Sequence, residues 1–270
     1  MNKEILLIIT IIFVYYLFVP NFKDGKFEPY RLLPLLLIGT FLFFSLITYI
    51  SGTFFYRTTH YHNYLKKCNN MLPNQFCHIK KLNVSIPDDY IEPLLDISYK
   101  YGKRINMPQK RQTAISMKYL QSAFPNIVTW YESLCPIISK AIGEEVTTTP
   151  LSEPNSLCLI VYDQEGDYID WHFDTNHYDG RYFTFLLPVT FEETCGNYQY
   201  KNADEKIETL SLTKGDALLF EGDKVFHRGK KLCKNQRRVI LSCTFTTSQQ
   251  IPIIESIYQK IKTVGFFGEL

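Results

Sequence analysis

Two uncharged apolar runs open the chain. Residues 5–20 carry no charge, and residues 32–56 are interrupted only by Pro34, Gly39, Gly52 and hydroxyl side chains. The second is long enough to cross roughly 30 Å of hydrocarbon; the first, at about sixteen residues, is marginal. With the polar stretch 21–31 between them, the pattern predicts a two-helix transmembrane hairpin over 1–56. A cleaved signal peptide is the competing reading of the first run. Its apolar stretch is longer than a normal signal core, and Val19-Pro20-Asn21 is a poor cleavage site. Orientation leans slightly toward a cytoplasmic domain: Lys23, Lys26 and Arg31 oppose Lys3, Arg57, Lys66 and Lys67. The endoplasmic reticulum is one candidate membrane, and the sequon Asn83-Val84-Ser85 is usable only in a lumen.

Beyond the apolar runs the texture changes twice. Residues 57–82, with His60, His62 and His78 among Lys and Asn, read as a solvated polar tether. Residues 83–150 read as a helical support. Pro87-Asp88-Asp89 starts a helix that repeats apolar positions at Ile91, Leu94, Leu95 and Ile97. Asn126 opens a second, with Ile127, Trp130, Leu134, Ile137, Ile138 and Ile142 on one face despite Pro136, and Gly143 is its natural stop. From 151 to 248 short strand-like segments alternate with turns. They are 156–162, 168–172, 182–189, 196–200, 206–212, 217–220, 224–228 and 238–246. Eight strands at such spacing predict a β-sandwich or jelly roll behind the helices, an α+β chain. Residues 249–270 form a C-terminal segment.

Composition narrows the function. In 270 residues the formal net charge is +2 and the Lys and Arg are scattered, so no basic face points to nucleic acid. Seven cysteines without a C-x-x-C pair read as mostly reduced thiols. Cys158 and Cys243 fall in apolar runs as core residues. Cys68 with Cys77, or Cys195 with Cys233, would pair in an oxidising lumen.

The chemistry concentrates in the strand region. His172 and Asp174 lie two residues apart, so their side chains point the same way across a pleat. His227 follows the apolar-flanked Lys224-Val225-Phe226, and a buried imidazole there needs a partner that a metal supplies. Two imidazoles and one carboxylate on one face of a metal leave the other face open, which is the ligand set of non-haem Fe(II) oxygenases. His177 is the local competitor as third ligand. Arg238 opens the last strand, with Ser242 and Thr244 on the same side. A guanidinium there can fork onto a carboxylate, with Arg237 on the opposite, solvated face. Trp171, Phe173, Tyr182 and Phe226 are candidate pocket walls.

In this ordered set, residues 155–248 resemble the 2-oxoglutarate- and Fe(II)-dependent dioxygenase superfamily. The lead-in Gly166-Asp167-Tyr168-Ile169-Asp170-Trp171 is similar to that of its prolyl-hydroxylase-like members. The resemblance implies a double-stranded β-helix with Fe(II) on His172, Asp174 and His227. It implies 2-oxoglutarate held by Arg238, Ser242 and, more loosely, Tyr162, with ascorbate as an auxiliary reductant. Halogenating relatives replace the carboxylate ligand by a small residue; Asp174 is intact, which favours hydroxylation. The expected substrate is a protein side chain such as proline, with a membrane lipid or small molecule as the alternative. A cupin-like metal module without turnover is the rival class, and it has no need of Arg238.

Overall fold

In a computed structural model the chain falls into two units, Met1–Thr59 and His60–Leu270. The structure describes residues 22–23, 26–27, 36–47, 76–190, 195, 197–213, 215–253, 255–256 and 259–260. In the first unit β1 (Phe22–Lys23) pairs antiparallel with β2 (Lys26–Phe27), and α1 spans 36–47. Leu36, Phe41 and Phe44 on α1 are exposed. Among the described residues no helix is long and apolar enough to cross a membrane. Run 5–20, the ends of run 32–56, and His60 and His62 lie outside the described residues.

The second unit is built on one antiparallel sheet. Its strands are β3 (Ile79–Asn83), β4 (Lys103–Met107), β5 (Lys110–Ile115), β6 (Thr147–Thr148), β7 (Leu157–Tyr162) and β8 (Tyr168–His172). The series continues with β9 (Tyr182–Pro188), β10 (Tyr198–Lys201), β11 (Ile207–Leu210), β12 (Asp216–Glu221), β13 (His227–Gly229) and β14 (Arg238–Thr246). Their spatial order is β11-β10-β13-β8-β5-β7-β14-β9-β12-β3, with β4 added to β5 and β6 to β14. The sheet curls around a cavity. Helices α2 (Asp88–Lys100), α3 (Met117–Ala123), α4 (Asn126–Ser133) and α5 (Cys135–Ile142) supply the other side of the core.

Period-two alternation assigns the faces. On β14, Val239, Leu241, Cys243 and Phe245 join the core, as do Leu157, Leu159 and Val161 on β7 and Phe183, Phe185 and Leu187 on β9. Leu94, Leu120, Ile127, Tyr131 and Ile138 close that core from the helices. The intervening residues of the same strands line the cavity. Burying one Leu or Phe side chain contributes about 1.5–3 kcal/mol, so a one-residue slip of β14 would expose four core side chains at once.

Several expectations need correction. The tether does not reach residue 82. Residues 79–83 pair with β12, and His78 is fully buried. The lysines at 80 and 81 disguised an edge strand, where charged side chains are tolerated because one face meets water. The support region also holds the hairpin β4–β5, turning at Pro108-Gln109, whose polar composition hid its alternation. The second predicted helix is two, α4 and α5. Pro136 lacks the N–H that a continuous helix requires but fits the first turn of a new one. Gly143 caps α5 in the left-handed region, φ 78°. The strand expected at 224–228 begins only at His227. Not all the outlying thiols are reduced: Cys195 is bonded to Cys233, and Cys77 is also in a disulfide. Cys135, Cys158 and Cys243 are free thiols.

A buried polar cluster ties β3, β12 and β9 together. The Glu221 carboxylate, 2% exposed, accepts from His78 Nδ1 at 2.7 Å and from Arg181 Nε at 3.1 Å. Arg181 also donates to Glu144 at 2.8 Å, and the Glu221 N–H donates to the His78 carbonyl at 2.7 Å. Burial alone would raise the Glu221 carboxyl, but His78 and Arg181 outweigh it and hold it at about 2. A carboxyl depressed from its usual range stabilises the fold above that range and loses the contribution as pH falls toward 2. Burial pushes His78 below its ordinary 6.5, which likewise withdraws stability on acidification. Glu221→Gln should therefore cost about 3 kcal/mol at pH 7. Urea unfolding of both proteins should show the gap shrinking between about pH 4.5 and pH 2; a gap independent of pH would refute the assignment.

Candidate metal centre

His172 ends β8 and His227 begins β13, and the two residues stand directly opposite each other in the antiparallel register. Their rings lie 4.2 Å apart between centroids. Asp174, two residues past His172, brings Oδ1 to 3.5 Å from His172 Nε2 and 3.8 Å from His227 Nε2. One ligand atom from each of the three lies within 4.8 Å of the others. Sequence neighbours supply one arm and a distant strand the other.

Backbone carbonyls set both imidazoles. His172 Nδ1 lies 2.7 Å from the Asp170 carbonyl and His227 Nδ1 2.8 Å from that of Val225. A carbonyl only accepts, so each Nδ1 carries the proton and each Nε2 presents a lone pair to the centre. Burial, reinforced by the charge of His172, lowers His227 to about 4, which keeps it neutral and ligand-ready at physiological pH. Burial acts to raise Asp174, but imidazoles that take up a second proton, on Nε2, outweigh it through the His172 hydrogen bond and the charges of His227 and His172, and hold its carboxyl far below the usual range. Thr184 donates to Asp174 Oδ2 at 2.6 Å, and the Asp174 N–H donates to the Gly222 carbonyl at 2.9 Å. A Cβ at Gly222 would sit 2.5 Å from Asp174 Oδ2, so only glycine leaves the carboxylate its place.

The cluster opens on a cavity of about 390 Å³. Arg238 lies in it, 5% exposed, with its guanidinium 4.0 Å from the centre of the Tyr162 ring. The two are register partners on β14 and β7, so facing each other follows from the pairing. Burial first, then the opposing pull of Arg238, leaves the Tyr162 phenol at about 12, a neutral hydroxyl. Ser242 and Thr244 line the same cavity, as period two expects. Arg237 takes the other face but is not solvated. It donates to Ser98 Oγ at 2.6 Å and packs 3.8 Å over Tyr99, pinning α2 to the sheet.

His177 lines the same cavity but is not in the three-residue cluster; its Nδ1 lies 3.0 Å from Glu255 Oε2. Phe173 and Tyr182 line the cavity. Trp171 and Phe226 do not; they stack on each other at 5.4 Å, with Arg228 4.7 Å from the Trp171 ring. Trp171 precedes His172 by one residue, and one step along a strand reverses the face. Sequence reading missed Thr184 and Gly222 at the cluster, and Lys110, Glu153 and Tyr178 on the cavity wall, where the Tyr178 hydroxyl donates to Glu153 Oε2 at 2.5 Å. Thr184 was recoverable, being two residues beyond Tyr182 in an alternating run.

The Thr184 hydroxyl orients the candidate carboxylate ligand. Thr184→Val should weaken Co(II) binding by about 10–100-fold, the usual cost of losing such an outer partner, with little change in the unfolding midpoint. Unchanged Co(II) affinity in a spectroscopic titration would remove Thr184 from the centre.

No family model and no curated protein matches the chain. Solved structures do match. An oxidoreductase of the 2OG-Fe(II) oxygenase family from Burkholderia pseudomallei is 8% identical, with a TM-score of 0.53 over 72% of this chain and 92% of that one. The non-haem α-ketoglutarate-dependent epimerase SnoN from nogalamycin biosynthesis is 8% identical, with a TM-score of 0.52 over 67% of this chain and 80% of its own. AviO1 from Streptomyces viridochromogenes Tue57 is 9% identical, with a TM-score of 0.51 over 65% and 93%. At these identities the likeness is one of architecture. The curled sheet, with a His-Asp-His cluster inside it, has the double-stranded β-helix fold of the 2-oxoglutarate- and Fe(II)-dependent oxygenases.

Proposed function

We propose that the protein is a 2-oxoglutarate- and Fe(II)-dependent oxygenase that hydroxylates a C–H bond of a protein side chain. The observation that carries this reading is the convergence, in one cavity, of His172, Asp174 and His227 with a buried Arg238. Two imidazole nitrogens and one carboxylate are the donor set that iron takes in such enzymes. The Nε2 lone pairs and the carboxylate of Asp174 would hold the metal. When bound, iron with its 2-oxoglutarate and O₂ co-substrates supplies the oxidising chemistry. A guanidinium buried in the cavity fits a carboxylate by two parallel hydrogen bonds, with Ser242 alongside. The Tyr162 ring holds that guanidinium in place. A metal-binding module without turnover has no use for a cation there.

Succinate release in the presence of Fe(II), ascorbate and 2-oxoglutarate tests the reading. His227→Ala should lose iron binding and succinate formation while remaining folded. Arg238→Ala should weaken 2-oxoglutarate by about 2–4 kcal/mol, the range for truncating one member of a buried charged pair. Arg237→Ala should leave that affinity alone while loosening α2. Full activity of His227→Ala would sink the proposal.

We further propose that residues 1–56 hold this domain at a membrane, on the length and lack of charge of the runs 5–20 and 32–56. Membrane association that resists alkaline carbonate, and that disappears when residues 1–56 are removed, is the expected result. A full chain extracted by carbonate would overturn it. If hydroxylation is seen only on extracted lipid and stops on that truncation, the substrate is a lipid.

A further inference from the structure

The cysteines report on the compartment in which the second unit folds. Cys195, in the connection from β9 to β10, is bonded to Cys233, in the connection from β13 to β14, over a sequence separation of 38. Cys77, just ahead of β3, is also in a disulfide. Cys233 is exposed and Cys195 half-buried, so small thiols in the surroundings can reach their bond. In the cytosol such a bond meets a reducing glutathione pool, whereas in an oxidising lumen it persists. The free thiols are no sign of reducing surroundings, because the fold separates and covers them. Cys243 faces the helices with the core set of β14, and Cys158 lines the cavity on the other face of the sheet. Burial pushes the Cys158 thiol up to about 12, which leaves almost no thiolate to attack a disulfide.

A second, independent observation concerns Asn83-Val84-Ser85, the single Asn-x-Ser/Thr tripeptide in the 270 residues. Asn83 ends β3, the edge strand of the sheet, opposite Asp216. Leu82 and Val84 on either side of it pack against the core, so alternation turns Asn83 outward. Its side chain is exposed and makes no hydrogen bond among the described residues, and Ser85 is exposed as well. The one sequon thus stands where an added oligosaccharide displaces no packing, and a sequon is used only on a chain that enters the lumen. Lysine and arginine do not oppose that side. Lys23, Lys26 and Arg31 between the apolar runs face Lys3, Arg57, Lys66 and Lys67 around them, three against four, too small a bias to fix orientation.

We infer that the unit His60–Leu270 faces the oxidising lumen of the secretory pathway and that Asn83 carries an N-linked oligosaccharide there. The donor is a lipid-pyrophosphate-linked oligosaccharide. Asn83 Nδ2 forms a bond to the anomeric carbon of its first sugar and gives up one proton. The bond from that carbon to the pyrophosphate oxygen breaks, and the lipid pyrophosphate leaves with the electron pair, so nothing is oxidised. Each disulfide forms as two thiols pass two electrons and two protons to a lumenal protein disulfide, which is reduced to a dithiol. The inference is independent of the oxygenase reading, and either an anchor or a cleaved leader in residues 1–56 delivers the domain to the lumen.

Expression of the full chain in animal cells tests it. On a denaturing gel the wild type should run above its polypeptide mass by one glycan, and peptide-N-glycosidase should remove the shift. Asn83→Gln and Ser85→Ala should each lose the shift, and Ser85→Thr, which keeps the hydroxyl the sequon needs, should retain it. The gel reads denatured chains, so a variant that folds poorly still reports. In sealed microsomes, protease should spare the second unit until detergent is added. Peptide mapping should find Cys195 and Cys233 alkylated only after reduction. A wild type without the shift, a shift that survives Asn83→Gln, digestion of the second unit without detergent, or alkylation of Cys195 and Cys233 without reduction overturns the inference. A glycosylated chain that forms no succinate would defeat the oxygenase reading and leave the lumenal site standing. A glycosylated chain extracted by alkaline carbonate would likewise defeat only the membrane anchor.

Discussion

The structure depends on one constraint: every central strand must satisfy two different neighbours at once. The pleat sends alternate side chains to opposite faces. β7, β9 and β14 each give one set to the helices and the other to the cavity. In β14 the set Val239, Leu241, Cys243, Phe245 is apolar, and the cavity set Arg238, Ile240, Ser242, Thr244 is polar but for Ile240. The core set fixes register through buried area, and the cavity set inherits its positions. Arg238 faces Tyr162, and Thr184 reaches Asp174, because four apolar residues on the other face cannot be moved. The core thereby does the work of placing the chemistry.

Precision within the cluster comes from the backbone. The two imidazoles are oriented by the carbonyls of residues two positions upstream, Asp170 and Val225, and no carboxylate is needed to fix their tautomers. The single carboxylate is held from three directions, by Thr184, by the Gly222 carbonyl on its N–H and by the imidazoles themselves. Gly222 follows Glu221, whose carboxylate is clamped by His78 and Arg181. The turn that grips Asp174 is thus anchored on one side by a buried charged cluster. A lysine-rich edge strand that reads as a tether becomes part of the support for the site.

What was legible follows from where the signal was local. The strands 157–162, 168–172 and 238–246 were readable because they are short runs rich in β-branched and aromatic residues and turn residues bound them. His172, Arg238, Ser242 and Tyr162 were marked by position on those strands, Asp174 by its spacing from His172 and His227 by its apolar lead-in, and the structure gathers them around one cavity. The hairpin β4–β5 escaped because Lys, Arg, Asn and Gln interrupt its pattern; sheet partners on both sides of β5 override that weak propensity. His78, Glu153 and Tyr178 escaped for another reason. Their roles come from partners far along the chain, Glu221 for the first, and spacing carries no trace of such pairs.

Charge is distributed in the cavity with a logic of its own. Arg238 and Lys110 line the cavity, and so do Asp174 and Glu153, whose charges both act on Tyr182. Bare ions of one sign in a low-dielectric cavity are costly. The surroundings answer that cost: the Tyr162 ring covers the Arg238 guanidinium, and the His172 and His227 imidazoles and the Thr184 hydroxyl surround the Asp174 carboxylate. The cavity thus brings a guanidinium and the His-Asp-His cluster together on one set of walls, each held by the register that the core face imposes.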